Sequence, residues 1–419
     1  MSELFVDPSA AAQSIGSGHL ELDGRWLAET LREKCPRFQR AVRDGKRIGK
    51  LVSTPIAAES GYMSLVFRYD VHFVAQSNGQ SGEEEEVLSY CLKEPRWERM
   101  SEVMKIDFYP HLIEVHGGEC NFYELFDRPP VGVKMPRVHA FKRLTADDRK
   151  GYLLMDFAGD GNCRSLPLED SLTVEQVLSI AEQIARFHAH AWKRRADWEA
   201  DARFNPVNIV AQDEEMAREV FQRIHGRLQK YTDEDILRRL DELKGLMDNY
   251  EVYCYAVNDA HLKSGVPSIM SHGDLWSNNI LFETNAAGEL TNEVGGLIDW
   301  QAANAGNPAQ DLVRVMLMNM DAKVRRAEDR RVLAFYHQKL AEYLGEQPPF
   351  TVEQLEAAAR PYFVYQLALL MFITAHNFEA DEQKPQRLVF TERLRAALDD
   401  AANWILPTYF SRWAHKDEQ

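Results

Sequence analysis

Ser271-His272-Gly273-Asp274-Leu275-Trp276-Ser277-Asn278-Asn279-Ile280-Leu281-Phe282 is the stretch on which the reading of this chain turns. It follows the pattern H-x-D-L-x-x-x-N and runs directly into an apolar strand. In phosphoryl transfer an aspartate faces the attacking hydroxyl, and an asparagine further along the same loop binds a magnesium ion. A loop carrying both must turn back on itself, and the five-residue step from Asp274 to Asn279 suits that turn. Further on, Gly296-Leu297-Ile298-Asp299-Trp300-Gln301 sets an aspartate at the end of a second apolar strand. Strands are expected over 279–282 and 294–300, joined by a polar loop containing Gly288. Mg²⁺ is a hard ion that takes oxygen ligands, few of them from protein. Asn279 and Asp299 are the expected pair.

These residues, with Tyr90-Cys91-Leu92-Lys93 and Glu119-Cys120-Asn121-Phe122-Tyr123, resemble the aminoglycoside phosphotransferase and choline kinase superfamily. Within it the chain resembles most the CHK kinase-like, or ecdysteroid kinase-like, family of invertebrates. The resemblance covers about residues 50–400. It implies an α+β, bilobal protein kinase-like fold that uses ATP, Mg²⁺ and a small hydroxylated acceptor. A β-rich N-terminal lobe is expected over residues 1–156 and a mainly helical C-terminal lobe over 157–419.

The front half has its own physical reading. Alternation along a strand puts Cys91 and Lys93 on one face. Lys93 would reach the α- and β-phosphates, with Cys91 against the adenine. Glu119, on a helix expected over 117–126, fits the family pattern as the carboxylate that holds Lys93. Glu114 and Glu124 are rivals for that role, and Lys105 is the rival for Lys93. Ser60-Gly61-Tyr62-Met63-Ser64 stands where a nucleotide loop belongs, and Ser64 could meet a phosphate oxygen; a plain turn is the alternative. Leu154-Met155-Asp156-Phe157 resembles the family's hinge, where main-chain groups around Met155 and Phe157 would bond the adenine. Asp311 would brace the catalytic loop, or simply be an acid near a helix N-terminus. His188 reads as a core histidine, and His272 as an orienter of the loop.

Departures narrow the class. Gly273 replaces the arginine of the protein-kinase H-R-D, and the chain has no D-F-G or A-P-E. That argues against a protein kinase switched by phosphorylation. Gly45-Lys46-Arg47-Ile48-Gly49-Lys50-Leu51 has the wrong spacing for a P-loop and lacks its Ser/Thr. A quaternary ammonium acceptor needs an aromatic cage; Tyr362, Tyr365, Phe372 and Trp404 are candidates, with core packing as the alternative.

The rest of the sequence frames this reading. A net charge of −16 argues against nucleic acid and anionic membranes as partners. Five scattered cysteines with no C-x-x-C pair suggest neither a disulfide framework nor a zinc site, and favour the cytoplasm. No signal peptide or membrane insertion is expected, and no obligate protein partner is evident. The apolar run 367–373 reads as part of a core helix. The first twenty residues are expected to be loosely ordered, and the acidic run Glu83–Glu86 to be a solvated hairpin tip. Helical periodicity marks 26–38. Thr173 and Gln176, and again Thr351 and Gln354, spell capping boxes, while Pro361 is expected to break or start a helix. Acceptor choice stays open among an ecdysteroid-like alcohol, choline or ethanolamine, and a sugar-like antibiotic. The rival class is a pseudokinase, which binds nucleotide without turnover.

Overall fold

Alternating β-branched and aromatic residues form strands because such side chains pack well on a pleated surface. In the computed structural model, which describes residues 4–56, 63–75, 84–104, 107–206, 210–376 and 383–411, the front of the chain obeys that rule. Arg47–Pro55, Ser64–Val74 and Glu84–Pro95 form an antiparallel meander. Tyr152–Asp156 pairs with Glu84–Pro95, and Val138–Lys142 closes the five-stranded sheet at its edge. Cys91 lies opposite Met155 and Lys93 opposite Leu153, while Tyr90 lies opposite Asp156 and Leu92 opposite Leu154. The two pairs alternate across the sheet, so Lys93 and Asp156 face opposite sides.

The Tyr90 face is a core. Tyr69, Phe73, Leu88, Leu92 and Leu154 meet Leu27, Leu31 and Phe38 there. The last three come from helices Gly24–Lys34 and Pro36–Arg43, two helices where one was expected. Pro36 has no N–H and pushes Cys35 before it into extended backbone, which divides them. The N-terminal segment is packed, contrary to expectation. Leu4, Phe5, Ile15 and Leu20 are buried, Ser14–Ile15 pairs with Leu22–Asp23, and Ser17 bonds the Glu94 carboxylate at 2.9 and 2.7 Å. The acidic run differs too. Glu84–Glu86 already belong to a strand, and Glu86 pairs with Lys46 at 3.1 Å; Glu83 lies outside the described residues.

Between the third and fourth strands in chain order stands helix Tyr109–Leu125, longer than the 117–126 expected. Pro110 suits its first turn, where a missing N–H costs nothing. This sheet, its helices and a short return of chain make one compact unit: Met1–Pro129, Lys134–Cys163 and Gly295–Gln301.

The second unit comprises Pro130–Val133, Arg164–Val294 and Ala302–Gln419 and is mainly helical. Both bonds of the Thr173/Gln176 capping box are made, and helix Val174–Lys193 follows. Its stripe of Val177, Ile180, Ala181, Ile184, Phe187 and Ala191 is buried, with Ala322–Leu344 packed against the helix. The second capping box also forms, through Thr351 and Gln354. Pro361, however, lies inside helix Val352–His376. The Asn307 side chain donates to the Ala358 carbonyl at 2.8 Å, satisfying an acceptor in the turn that the proline disturbs. By length and composition this helix could cross a membrane, but 83% of its most apolar window is buried, as for a core helix. Strands Ile280–Thr284 and Leu290–Leu297 neighbour each other in a small sheet, the latter ending at Leu297 and not at 300. The α+β class and the strand-rich first half with a helical second half hold as expected.

Candidate active site

In the first unit three charged side chains converge. Lys93 Nζ donates to Glu119 Oε2 at 2.7 Å and to Asp299 Oδ1 at 2.6 Å. Lys93 is 9% exposed and Glu119 1%. Burial works against the ammonium charge, but Asp299 and Glu119 outweigh it and hold the amine above its ordinary value. Burial also pushes the Glu119 carboxyl up, against the pull of Lys93, and the like charge of Asp299 adds to the rise. One amine thus serves two carboxylates.

Local backbone fixes the third member. Asp299 has φ +66°, the left-handed region that aspartate tolerates better than most residues. The next residue, Trp300, stacks on Phe122 with ring centroids 4.3 Å apart and planes 6° from parallel. Phe122 stands one helical turn after Glu119, so the stack ties the Glu119 helix to the Asp299 segment. Gly118 makes the approach possible, because a Cβ there would lie 2.7 Å from the Gln301 carbonyl oxygen.

The rivals fall away. Glu114 is exposed, and Glu124 pairs with Arg143 at 3.1 Å; Lys105 lies outside the described residues. Cys91 and Met155 share the Lys93 face of the sheet, as strand alternation requires. Ser64 begins its strand opposite Pro95, but Ser60, Gly61 and Tyr62 of the expected nucleotide loop lie outside the described residues. Phe157 needs a correction. Its N–H already donates to the Ser89 carbonyl at 3.1 Å, so only its carbonyl remains for a nucleobase.

In the second unit the Asp274 loop is held by main-chain bonds. Asp311, 1% exposed, accepts the N–H of His272 and of Gly273, each at 2.8 Å. This is the bracing role expected of it. Gly273 has φ +82°, and a Cβ on it would sit 2.1 Å from the Ala302 carbonyl oxygen. Glycine therefore replaces the arginine of H-R-D for want of both space and backbone freedom. His272 Nδ1 accepts the Asp274 N–H at 3.3 Å, consistent with an orienter. His188 is a satisfied core histidine, placed by Tyr336 Oη at 2.7 Å and Ser271 Oγ at 3.3 Å, and burial lowers its pKa to about 3.

Asn279 turns its amide nitrogen to Asp274, 2.8 Å from the carbonyl oxygen and 3.3 Å from Oδ2. The other carboxylate oxygen, Oδ1, pairs with Arg314. This arginine, 5% exposed on helix Gln310–Asn319, was missed by sequence reasoning and also donates to Gln366 at 3.3 Å. Asn319 was missed as well; its side chain bonds the Ser277 N–H at 3.1 Å and hydroxyl at 2.9 Å. The aromatic candidates have partners of their own. Tyr362 and Tyr365 are core residues with rings 5.5 Å apart, Phe372 stacks on His376, and Trp404 is capped by Arg360.

The chain is 22% identical over 364 residues to "Uncharacterized oxidoreductase dhs-27" of Caenorhabditis elegans, an alignment that spans 83% of this chain and 42% of that protein. Among solved structures it is similar to Plasmodium vivax ethanolamine kinase, at 12% identity and TM-score 0.46, covering 94% of this chain and 92% of that one. It is also similar to an aminoglycoside 2′-phosphotransferase IIIa variant with GDP, at 13% identity and TM-score 0.43, covering 90% and 97%. The family profile that matches, over residues 86–407, is described as "Uncharacterized oxidoreductase dhs-27" and is not that of a CHK kinase-like or ecdysteroid kinase-like family. The chain belongs to the DUF1679 family.

Proposed function

We propose that this chain is a kinase of a small hydroxylated molecule, moving the γ-phosphoryl group of ATP to an alcohol oxygen. The observation that carries the reading is the buried triad of Lys93, Glu119 and Asp299. Enzymes of the protein-kinase type use such a lysine on the nucleotide phosphates, hold it with a helix glutamate and place an aspartate on the metal. In this reading Lys93 meets the α- and β-phosphates and Glu119 fixes Lys93. Ser64, Cys91, Met155 and the Phe157 carbonyl belong to the nucleotide surface. Asp274, its side chain 22% exposed, orients the acceptor hydroxyl and takes its proton as the oxygen bonds to the γ-phosphorus and ADP departs.

The oxygen donors suit Mg²⁺. The amide nitrogen of Asn279 is committed to Asp274, so its carbonyl oxygen is what it offers a cation, and Asp299 offers a carboxylate. When bound, the ion supplies positive charge to the phosphates.

A neutral alcohol, ecdysteroid-like or otherwise, is favoured as acceptor over choline or ethanolamine. Arg314 puts a positive charge beside Asp274, and the aromatic candidates are engaged with each other, with His376 and with Arg360. The oxidoreductase of the relative's description belongs to a protein more than half of which this chain does not cover. A second reading, a nucleotide-binding pseudokinase, is favoured by one observation: both oxygens of Asp274 are already engaged. Incubation with γ-labelled ATP and a metabolite extract separates the two. Label in a small molecule, with ADP released, supports the kinase; nucleotide binding without transfer to any molecule supports the pseudokinase.

A further inference from the structure

One group of side chains in the first unit plays no part in the reading above. Cys35, His139 and Asp156 come from the joint between two helices, from the edge strand of the sheet and from the end of its neighbour. A ring nitrogen of His139, the sulfur of Cys35 and a carboxylate oxygen of Asp156 all lie within 4.8 Å of one another. Asp156 shares its face of the sheet with Tyr90, so the group lies on the side away from Lys93.

The backbone aims these groups at each other. The pairing register shifts between Val138 and Ala140, which makes His139 the extra residue of a bulge. Bulges re-aim side chains. The imidazole is fully buried, and its Nε2 meets Asp156 Oδ1 at 2.7 Å. Its Nδ1 is buried without a hydrogen bond of good geometry, and the Cys35 thiol interacts with the ring as Asp156 does. Cys35 is 1% exposed, with its sulfur 3.4 Å from the Tyr90 hydroxyl. Around them is apolar core, where a polar group is costly unless fully partnered. Hydrogen bonds of good geometry thus serve only one of the two ring nitrogens.

We infer that Cys35, His139 and Asp156 form a binding site for a divalent transition-metal ion of the zinc class, distinct from the nucleotide site. Sulfur and imidazole ligands select zinc-like ions over magnesium. Three protein ligands and one open position are a common zinc arrangement. The thiolate and the carboxylate together would offset the charge of the ion. Asp156, 27% exposed, is the side from which a fourth ligand, water, would come. With zinc bonds of about 2.0–2.3 Å, ligand atoms of a tetrahedral site stand about 3.2–3.8 Å apart, a range that the present separations, 2.7 Å from Nε2 to Oδ1 and at most 4.8 Å among the three atoms, bracket.

The test uses the full chain with Co²⁺ as a coloured substitute for zinc. The wild-type protein should bind one Co²⁺ with a thiolate charge-transfer absorption, displaced by Zn²⁺ and not by excess Mg²⁺. Cys35→Ser should abolish the absorption and weaken zinc binding by more than the roughly 10–100-fold that loss of a ligand's hydrogen-bond partner costs, while Cys254→Ser, a change at a cysteine outside the cluster, should leave both intact. Asp156→Asn, at the exposed edge of the site, is the variant of choice if Cys35→Ser does not fold, and should weaken Co²⁺ binding. Absence of the absorption in the wild type, its survival in Cys35→Ser, or unchanged Co²⁺ affinity in Asp156→Asn overturns the site.

Discussion

The Lys93 triad and the Asp274 loop are held in opposite ways. In the triad, geometry depends on charge, because one buried ammonium joins two carboxylates from a helix and from a return of the chain. In the loop, geometry depends on the backbone, because Asp311 accepts two successive N–H groups and Gly273 fills a space with no room for a side chain. A cluster held by charge rearranges when a ligand brings charges of its own. A loop held by main-chain bonds keeps its shape. On the function proposed above, the triad is suited to respond to nucleotide, and the loop to present Asp274 ready-made.

Substitutions can break that contrast. Asp274→Asn should lower kcat by about 10²–10⁴-fold, the size of a general acid–base contribution, and should cost less stability than a change in the triad, since Asp311 still braces the loop and the amide oxygen can still accept from Arg314. Lys93→Met should cost stability as well as activity, because it leaves two carboxylates near each other without their cation. Loss of one partner of a buried ion pair costs about 3–5 kcal/mol, readable as a lower urea midpoint. Equal losses of stability in the two variants would refute the distinction. Arg314→Met sharpens it further. If the arginine only orients Asp274, turnover should fall about 10²-fold, the scale of a misplaced catalytic group, while nucleotide affinity stays. A fall in affinity of the same size would assign Arg314 to nucleotide binding.

Acid gives the broadest effect, and it should be shared by both units. Burial lowers the pKa of His116 in the first unit from 6.5 to about 4, and of His188 in the second from 6.5 to about 3. Unfolded histidines take up protons near pH 6.5 while these two stay neutral in the fold. Their contribution to stability is thus complete above that pH and is lost as pH falls toward 4. Each histidine adds a slope of up to about 1.4 kcal/mol per pH unit. Thermal melts at pH 7, 6 and 5 should show progressive loss, and a slope left unchanged by His188→Gln would remove that residue from the account.

How much of this could be read beforehand differs from one element to the next. The loop was legible because it shows particular residue types at fixed spacing, and Asp274, Asn279 and Asp311 are close in sequence to one strand or one helix start. Lys93 and Cys91 were legible by strand alternation. Arg314 was not seen, although a signal existed: an arginine in the apolar run Leu312-Val313-Arg314-Val315-Met316 is buried and must have a partner. The length of the Glu119 helix was lost because Gly117 and Gly118 read as a boundary, whereas Gly118 admits a distant backbone. The Cys35 group was invisible, since a bulge that turns His139 inward leaves no periodic trace. The packed N-terminal segment was equally hidden: its small and polar residues bury only a few apolar side chains among them.

The return of Gly295–Gln301 to the first unit bears on how the protein comes into being. A nascent chain that has emerged only as far as residue 294 already carries Phe122 and Lys93 but lacks Trp300 and Asp299, the ring and the carboxylate that complete their surroundings. The triad is in that sense a late product of translation. For the same reason a fragment ending at residue 163 contains every strand of the large sheet and yet omits a member of its ion cluster, so the first unit cannot be excised as a single stretch of sequence.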